Sequence, residues 1–182
     1  MYRKRCKRFD KEGQAHCLTF SCFKRQPFFV NPVFCGQVLD ALQLGRSKGQ
    51  YELLGYVIMP EHVHIVLLPG PGNQISQILS TVKQSVSKKA LLHVKQCSPA
   101  MLECMKDLRP NGDCHYRFWQ RGGGYDRNLR SRDDIVEKIR YVHSNPVRRE
   151  LVKSKSEWKW SSYNAWKTGE DEPIPIDRSV LF

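Results

Sequence analysis

The sequence lacks a long apolar run. Its longest, at residues 56–59 and 65–68, fall far short of the roughly 20 apolar residues that a membrane-spanning helix needs. Nor does an apolar stretch of signal-peptide length follow the basic start "MYRKRCKRFDKEGQAH", so no targeting segment is expected and the protein is expected in the cytoplasm, away from membranes. Close ligand pairs such as C-x-x-C are missing, which makes His93, Cys97, Cys104, Cys114 and His115 scattered side chains rather than a structural zinc site. Seven cysteines, odd in number and irregular in spacing, form no disulfide framework. A nucleotide-binding loop, an internal repeat and a low-complexity segment are absent as well.

Positive charge, by contrast, is abundant. Thirty Lys and Arg against 18 Asp and Glu leave a net charge of +12 on 182 residues, with a sequence pI of about 9.5. Such a balance argues for a polyanionic partner, with nucleic acid ahead of an acidic membrane surface. The length fits one domain with some decoration. Residues 1–14 form a basic arm, 15–168 the main domain and 169–182 a tail. Within the domain, residues 95–115 carry Pro99, Pro110 and Asn111-Gly112 and are expected to be an irregular insertion or long loop.

"HCLTFSCF" is β-branched and aromatic with loose alternation, the pattern of a strand. "NPVFCGQVLDALQLGRSKG" predicts a helix with Asn31 as N-cap and Pro32 at its first position. "YELLGYVIM" and "HVHIVLL" predict two strands joined by a tight turn at Pro60-Glu61. Residues 73–94 follow helical spacing through Ile75, Ile78, Leu79, Val82 and Val86. "YRFWQ" is expected to be the fourth strand, "RGGGYDRNL" a turn, and "SRDDIVEKIRYVHSN" a helix capped by Ser131 and limited by Pro146. The order strand–helix–strand–strand–helix–strand is the split β-α-β pattern of a ferredoxin-like α+β fold. It predicts a largely antiparallel sheet with helices on one face, the other face available for a ligand, and one helix appended at the C-terminal side.

Within "YVIMPEHVHIVLLP", alternation along the strand sends His62 and His64 to the same face and Val63 to the other. Two neighbouring imidazoles are a ready pair of ligands for a divalent ion, though an isolated H-x-H also suits a hydrogen-bonded or surface pair. A metal site on a basic protein suggests phosphate chemistry. That chemistry needs a nucleophile, and Tyr141 in "IRYVHSNPVRRELV" is a candidate, with Asn145 four residues on as an oxygen donor to the ion. The same residues also suit a core ring and a helix end before a proline.

"GYVIMPEHVHIVLLP" resembles the histidine–hydrophobic–histidine (HUH) signature of the single-tyrosine transposases. "FWQRGGGYDRNLRSRDDIVEKIRYVHSNPVRREL" is similar to the C-terminal half of their REP-associated branch, related to the insertion-sequence-200-like transposases. The likeness covers roughly residues 15 to 165. It implies a metal-dependent endonuclease and strand transferase acting on single-stranded DNA that folds into hairpins, as a monomer or homodimer. It further implies that His62, His64 and Asn145 hold Mg²⁺ or Mn²⁺ while Tyr141, on the appended catalytic helix, forms a 5′-phosphotyrosine link and leaves a free 3′-OH. Many insertion-sequence relatives carry glutamine where this chain has Asn145, so the third ligand is the point of departure. Tyr125, beside the glycines, is a rival nucleophile, disfavoured because a mobile turn holds no attack geometry.

Basic residues that suit a phosphate-backbone groove are Arg5 and Arg8 in the arm, Lys83, Lys88 and Lys89 in the second helix, Arg127 and Arg130 after the glycines, and Arg148 and Arg149 past the tyrosine. Trp119, Tyr125, Trp158, Trp160, Tyr163 and Trp166 can stack on unpaired bases, with core packing expected for at least half of them. The rival functions are a non-catalytic binder of single-stranded DNA or RNA on the same sheet, and a metal nuclease that uses water.

Overall fold

The computed structural model describes residues 10–122 and 124–178. Strand β1 (Ala15–Ser21) leads to helix α1 (Pro32–Ser47), where the Asn31 side chain accepts from the Val33 amide as the cap that the sequence predicts. Strands β2 (Tyr51–Met59) and β3 (His62–Pro69) then form a hairpin about Pro60-Glu61, with Met59 opposite His62. Helix α2 (Ile75–Cys97) follows and buries Ile78, Leu79, Val82 and Val86.

Residues 95–115 are ordered, contrary to the expected irregular loop. Helix α2 runs on to Cys97, α3 spans Pro99–Cys104, and β4 (Lys106–Leu108) pairs with β5 (Cys114–Tyr116) about a turn in which Gly112 takes a positive φ. Met105, between them, is fully buried and anchors the segment on the core. "YRFWQ" is not the fourth strand of the sheet. Phe118 and Trp119 instead drive their rings into a cluster with Phe28, Phe29 and Phe34, closing the end of the core.

The fourth strand is β6 (Tyr125–Leu129), read from sequence as a turn. Gly124 makes this possible. Its φ of +73° suits glycine, and a Cβ there would lie 2.0 Å from the Thr19 carbonyl oxygen, so only a bare backbone can bring β6 against β1. The sheet order is β2-β3-β1-β6, antiparallel throughout, which is the ferredoxin-like arrangement.

Helix α4 (Arg132–Arg148) is capped by the Ser131 hydroxyl, which accepts from the Asp134 amide. It continues past Pro146 rather than ending there. Proline has no N–H to give the Val142 carbonyl one turn back, and the Asn145 side-chain amide donates to that carbonyl instead, at 3.0 Å. The sheet is buried on both sides. One face, with Leu18, Phe20, Val63, Ile65 and Leu67, packs on α1 and α2. The other, with Cys17, Val57, Met59 and Val66, packs on Ile139 and Val142 of α4. The second face is therefore partly roofed by the appended helix and not simply open to a ligand.

The chain after α4 returns along the outer edge of β2, through a short helix α5 (Tyr163–Thr168). The Ile58 amide donates to the Trp160 carbonyl, and the indoles of Trp158 and Trp166 donate to the carbonyls of Ile58 and Leu54. This covers a strand edge that would otherwise stay unpaired. Among the described residues no helix is long and apolar enough to cross a membrane.

Candidate active site

Strand β3 is central, so the faces of its side chains are set by pairing on both sides. His62 lies opposite Ser21 and Met59, and His64 opposite Thr19 and Val57. Both imidazoles point to the face that α4 roofs, and both are buried, at 7% and 8% exposure. Their Nε2 atoms stand 2.9 Å apart with the rings at 89°.

Each ring is held from behind by its other nitrogen. His62 Nδ1 donates to Glu61 Oε1 at 3.0 Å, since the carboxylate can only accept. His64 Nδ1 and Thr19 Oγ1 are 2.8 Å apart, and the hydroxyl can serve there as donor or acceptor. Burial, and then the adjacent His62, push His64 down to about 3. Burial likewise holds His62 below its ordinary value, against the opposing pull of Glu61. The Glu61 carboxyl is itself held low. Burial alone would raise it, but the hydrogen bond from Arg149 and the neighbouring His62 outweigh that.

Two neutral imidazoles with converging Nε2 atoms fit a divalent ion. Adjacent ligands about 2.1 Å from an octahedral ion sit about 3.0 Å from each other, the spacing of this pair. The spacing equally suits a hydrogen bond when one Nε2 carries a proton. An ion requires the His64 proton to sit on Nδ1, facing a Thr19 hydroxyl that then accepts. Among the described residues no group of three or more His, Cys, Asp and Glu side chains converges on a metal position, so a third side-chain ligand among them would be of another residue type. Asn145 has one to offer. Its amide nitrogen is committed to the Tyr141 and Val142 carbonyls, which leaves Oδ1 as an acceptor.

Helix α4 presents Tyr141 with 44% of its surface exposed, so the ring is not a core ring. Lys138 Nζ lies 4.8 Å and Arg148 Cζ 5.1 Å from its centroid. The end of α4 is tied to the histidine strand, because Arg149 Nη1 donates to Glu61 Oε1 at 2.9 Å. Tyr125, contrary to the expected mobile turn, opens β6 in register with Thr19, on the histidine face, and is 51% exposed.

The basic candidates divide. Arg5 and Arg8 lie outside the described residues. Lys88, Arg130 and Arg148 are exposed. Lys83 donates to the Gly122 carbonyl, Lys89 pairs with Asp40, and Arg127 pairs with Asp134. Of the aromatics, Trp119, Trp158 and Trp166 use their indole N–H groups on backbone carbonyls and Tyr163 meets the buried His143, so these four are structural. Thr19, Glu61 and Arg25, whose guanidinium approaches Glu61 at 3.4 Å, escaped the sequence reading. Only Glu61 carried a signal there, as the residue immediately before His62.

A ferredoxin-like sheet offering two histidines from a central strand, beneath a helix with an exposed tyrosine, is the arrangement that the resemblance to the HUH single-tyrosine transposases implies. No protein-family model matches the chain. A proposed REP-associated tyrosine transposase of Haemophilus influenzae is 23% identical over 115 residues, which cover 63% of this chain and 60% of that protein. The chain thus matches about three fifths of the length of this curated relative. That relative bears the name of the family that the chain's motifs resemble. Among solved structures, a REP-associated tyrosine transposase bound to a REP hairpin superposes with a TM-score of 0.65 at 18% identity, over 98% of this chain and 93% of that one, which shows the shared fold. A proposed transposase of Deinococcus radiodurans gives a TM-score of 0.45 at 18% identity, over 79% of this chain and 97% of that one.

Proposed function

We propose that the protein cuts and rejoins single-stranded DNA at folded hairpins, with His62, His64 and Asn145 Oδ1 holding Mg²⁺ or Mn²⁺ and Tyr141 as nucleophile. The observation that carries this reading is the histidine pair, with its two Nε2 atoms 2.9 Å apart and each ring braced from behind. The solved relative's REP hairpin supplies the precedent for the DNA. The ion would neutralise phosphate oxygens and raise the electrophilicity of phosphorus.

Tyr141 Oη would give its proton to solvent and form a bond to phosphorus while the bond to the 3′ oxygen breaks, and the departing 3′ oxygen would take a proton from solvent to become a free 3′-OH. The 5′-phosphotyrosine keeps the phosphodiester energy, so attack by another 3′-OH rejoins DNA without ATP. A phenol is a weak nucleophile near neutral pH, and Lys138 and Arg148 beside the Tyr141 ring are positioned to stabilise its developing negative charge. The exposed Lys88 and Arg130 suit backbone phosphates.

The position of Tyr125 in the row with Thr19 and His64 favours a second reading, in which that phenol attacks. Tyr141 is preferred because its helix also carries Asn145 and is fastened to Glu61. Labelled hairpin DNA with Mn²⁺, followed by denaturing electrophoresis, separates the two. Tyr141→Phe should bind DNA like the parent yet form no covalent adduct, while Tyr125→Phe forms it normally. The reverse pattern would move the nucleophile to Tyr125. Cleavage by both variants with no adduct would make water the nucleophile.

A further inference from the structure

Glu61 sits in the hairpin turn, 8% exposed, with one oxygen shared among three partners. Its Oε1 accepts from His62 Nδ1 at 3.0 Å, from Arg149 Nη1 at 2.9 Å and from Arg25 Nη2 at 3.4 Å. These partners come from different parts of the fold. His62 begins β3, Arg149 caps the C-terminal end of α4, and Arg25 lies in a short 3-10 turn after β1. The carboxylate therefore touches the imidazole on one side and the end of the tyrosine helix on the other. A charge buried this deeply is costly unless paired, and among the described residues these groups supply the pairing.

We infer that Glu61 is a positioning residue that couples the metal side of the site to the tyrosine side. By accepting from Nδ1 it keeps His62 in the tautomer whose Nε2 bears a lone pair, and it sets the plane of the ring. By accepting from Arg149 it latches the last turn of α4 onto the β2–β3 hairpin. That turn is also bound internally, with the Arg149, Glu150 and Leu151 amides donating to the carbonyls of Asn145, Val147 and Pro146. Asn145 and Tyr141 lie one and two turns further back on the same helix, so the latch fixes the helix that carries both against the β2–β3 hairpin. The inference rests on the reading of His62 and His64 as ligands for its first half and on geometry alone for its second.

The test uses the full chain without DNA and has two readouts. Mn²⁺ affinity is followed from the electron paramagnetic resonance signal of the free ion. Hydrogen–deuterium exchange is followed over residues 145–151 in the presence of a chelator. Glu61→Ala should weaken Mn²⁺ binding by about 10- to 100-fold and speed exchange across that segment, with Glu61→Gln between Ala and parent because it keeps the oxygen but not the charge. Arg149→Ala should speed exchange in the same segment while weakening Mn²⁺ binding less than Glu61→Ala does, since the His62 contact survives and only the seat of Asn145 loosens.

Parental Mn²⁺ affinity in Glu61→Ala would overturn the positioning of His62. Parental exchange in both Glu61→Ala and Arg149→Ala would overturn the latch. Should Glu61→Ala fail to fold, Glu61→Gln and Arg149→Ala decide on the same two readouts. Absence of Mn²⁺ binding by the parent itself would sink the reading of the histidines as ligands, and the first half with it. The exchange result would still decide the latch.

Discussion

His143 should make this protein acid-labile in a way that a single substitution can remove. The residue sits on the interior side of α4, 4% exposed, with Nε2 donating to Ser162 Oγ at 2.8 Å. That hydroxyl in turn accepts from the Tyr56 amide and donates to the Tyr56 carbonyl, so the neutral imidazole completes a satisfied network between α4, β2 and the returning tail. A proton on Nδ1 would place a charge inside it. Burial first, and then the nearby Lys155, push His143 down to about 4. An unfolded chain returns it to about 6.5, so the unfolded state binds more protons between those values. The contribution is fully present above pH 6.5 and is lost as pH falls towards 4, amounting to about 2 kcal/mol by pH 5. Urea unfolding at a series of pH values from 7.5 to 5, with a chelator present, measures it. His64, also depressed, adds an acid sensitivity of its own, so the comparison must be made against a variant. Glutamine can still donate to Ser162 and does not titrate. His143→Gln should lose about 2 kcal/mol less than the parent over that range, whatever its stability at pH 7.5. Parallel pH curves for the two proteins would refute the reasoning.

Two further outcomes follow from backbone geometry and from the end of α4. Gly124→Ala should lower the melting temperature well beyond Gly13→Ala. Both have positive φ, costing about 1–2 kcal/mol, but only at Gly124 would the new Cβ strike backbone, the Thr19 carbonyl, whereas Gly13 has open space. Equal melting temperatures would mean that β6 does not depend on that close approach. Asn145→Asp keeps an oxygen for the ion but loses the donor that serves the Val142 carbonyl beneath Pro146. It should retain Mn²⁺ binding at a cost of about 1 kcal/mol in stability, whereas Asn145→Ala loses both, as titration and thermal melts would show. Parental Mn²⁺ affinity in Asn145→Ala would remove Asn145 from the ligand set.

Much of the architecture was legible from residues acting on their neighbours. Alternation placed His62 and His64 on one face, Asn31-Pro32 and Ser131 set helix starts, and Pro60-Glu61 closed the hairpin, because each depends on chain geometry within a few residues. Those local rules also mapped the split β-α-β order. They failed where a partner far along the chain decided the outcome. Residues 125–129 carry turn-like chemistry yet form an edge strand, because Gly124 lets them approach β1. "YRFWQ" has strand propensity yet makes no more than an isolated bridge to Cys22, while Phe118 and Trp119 pack as an aromatic plug with Phe28, Phe29 and Phe34. The appended helix was visible in sequence, but its seat across the second sheet face was not. Of the braces of the site, Thr19 stands 45 residues from His64, and Glu61, next to His62 in sequence, 88 from Arg149, and only strand register and helix docking bring these pairs together. The histidines and the tyrosine were thus written locally. Their orientation, tautomers and connection to one another belong to the tertiary structure, because hydrogen-bond partners of a buried imidazole are chosen by whatever side chains the fold packs behind it.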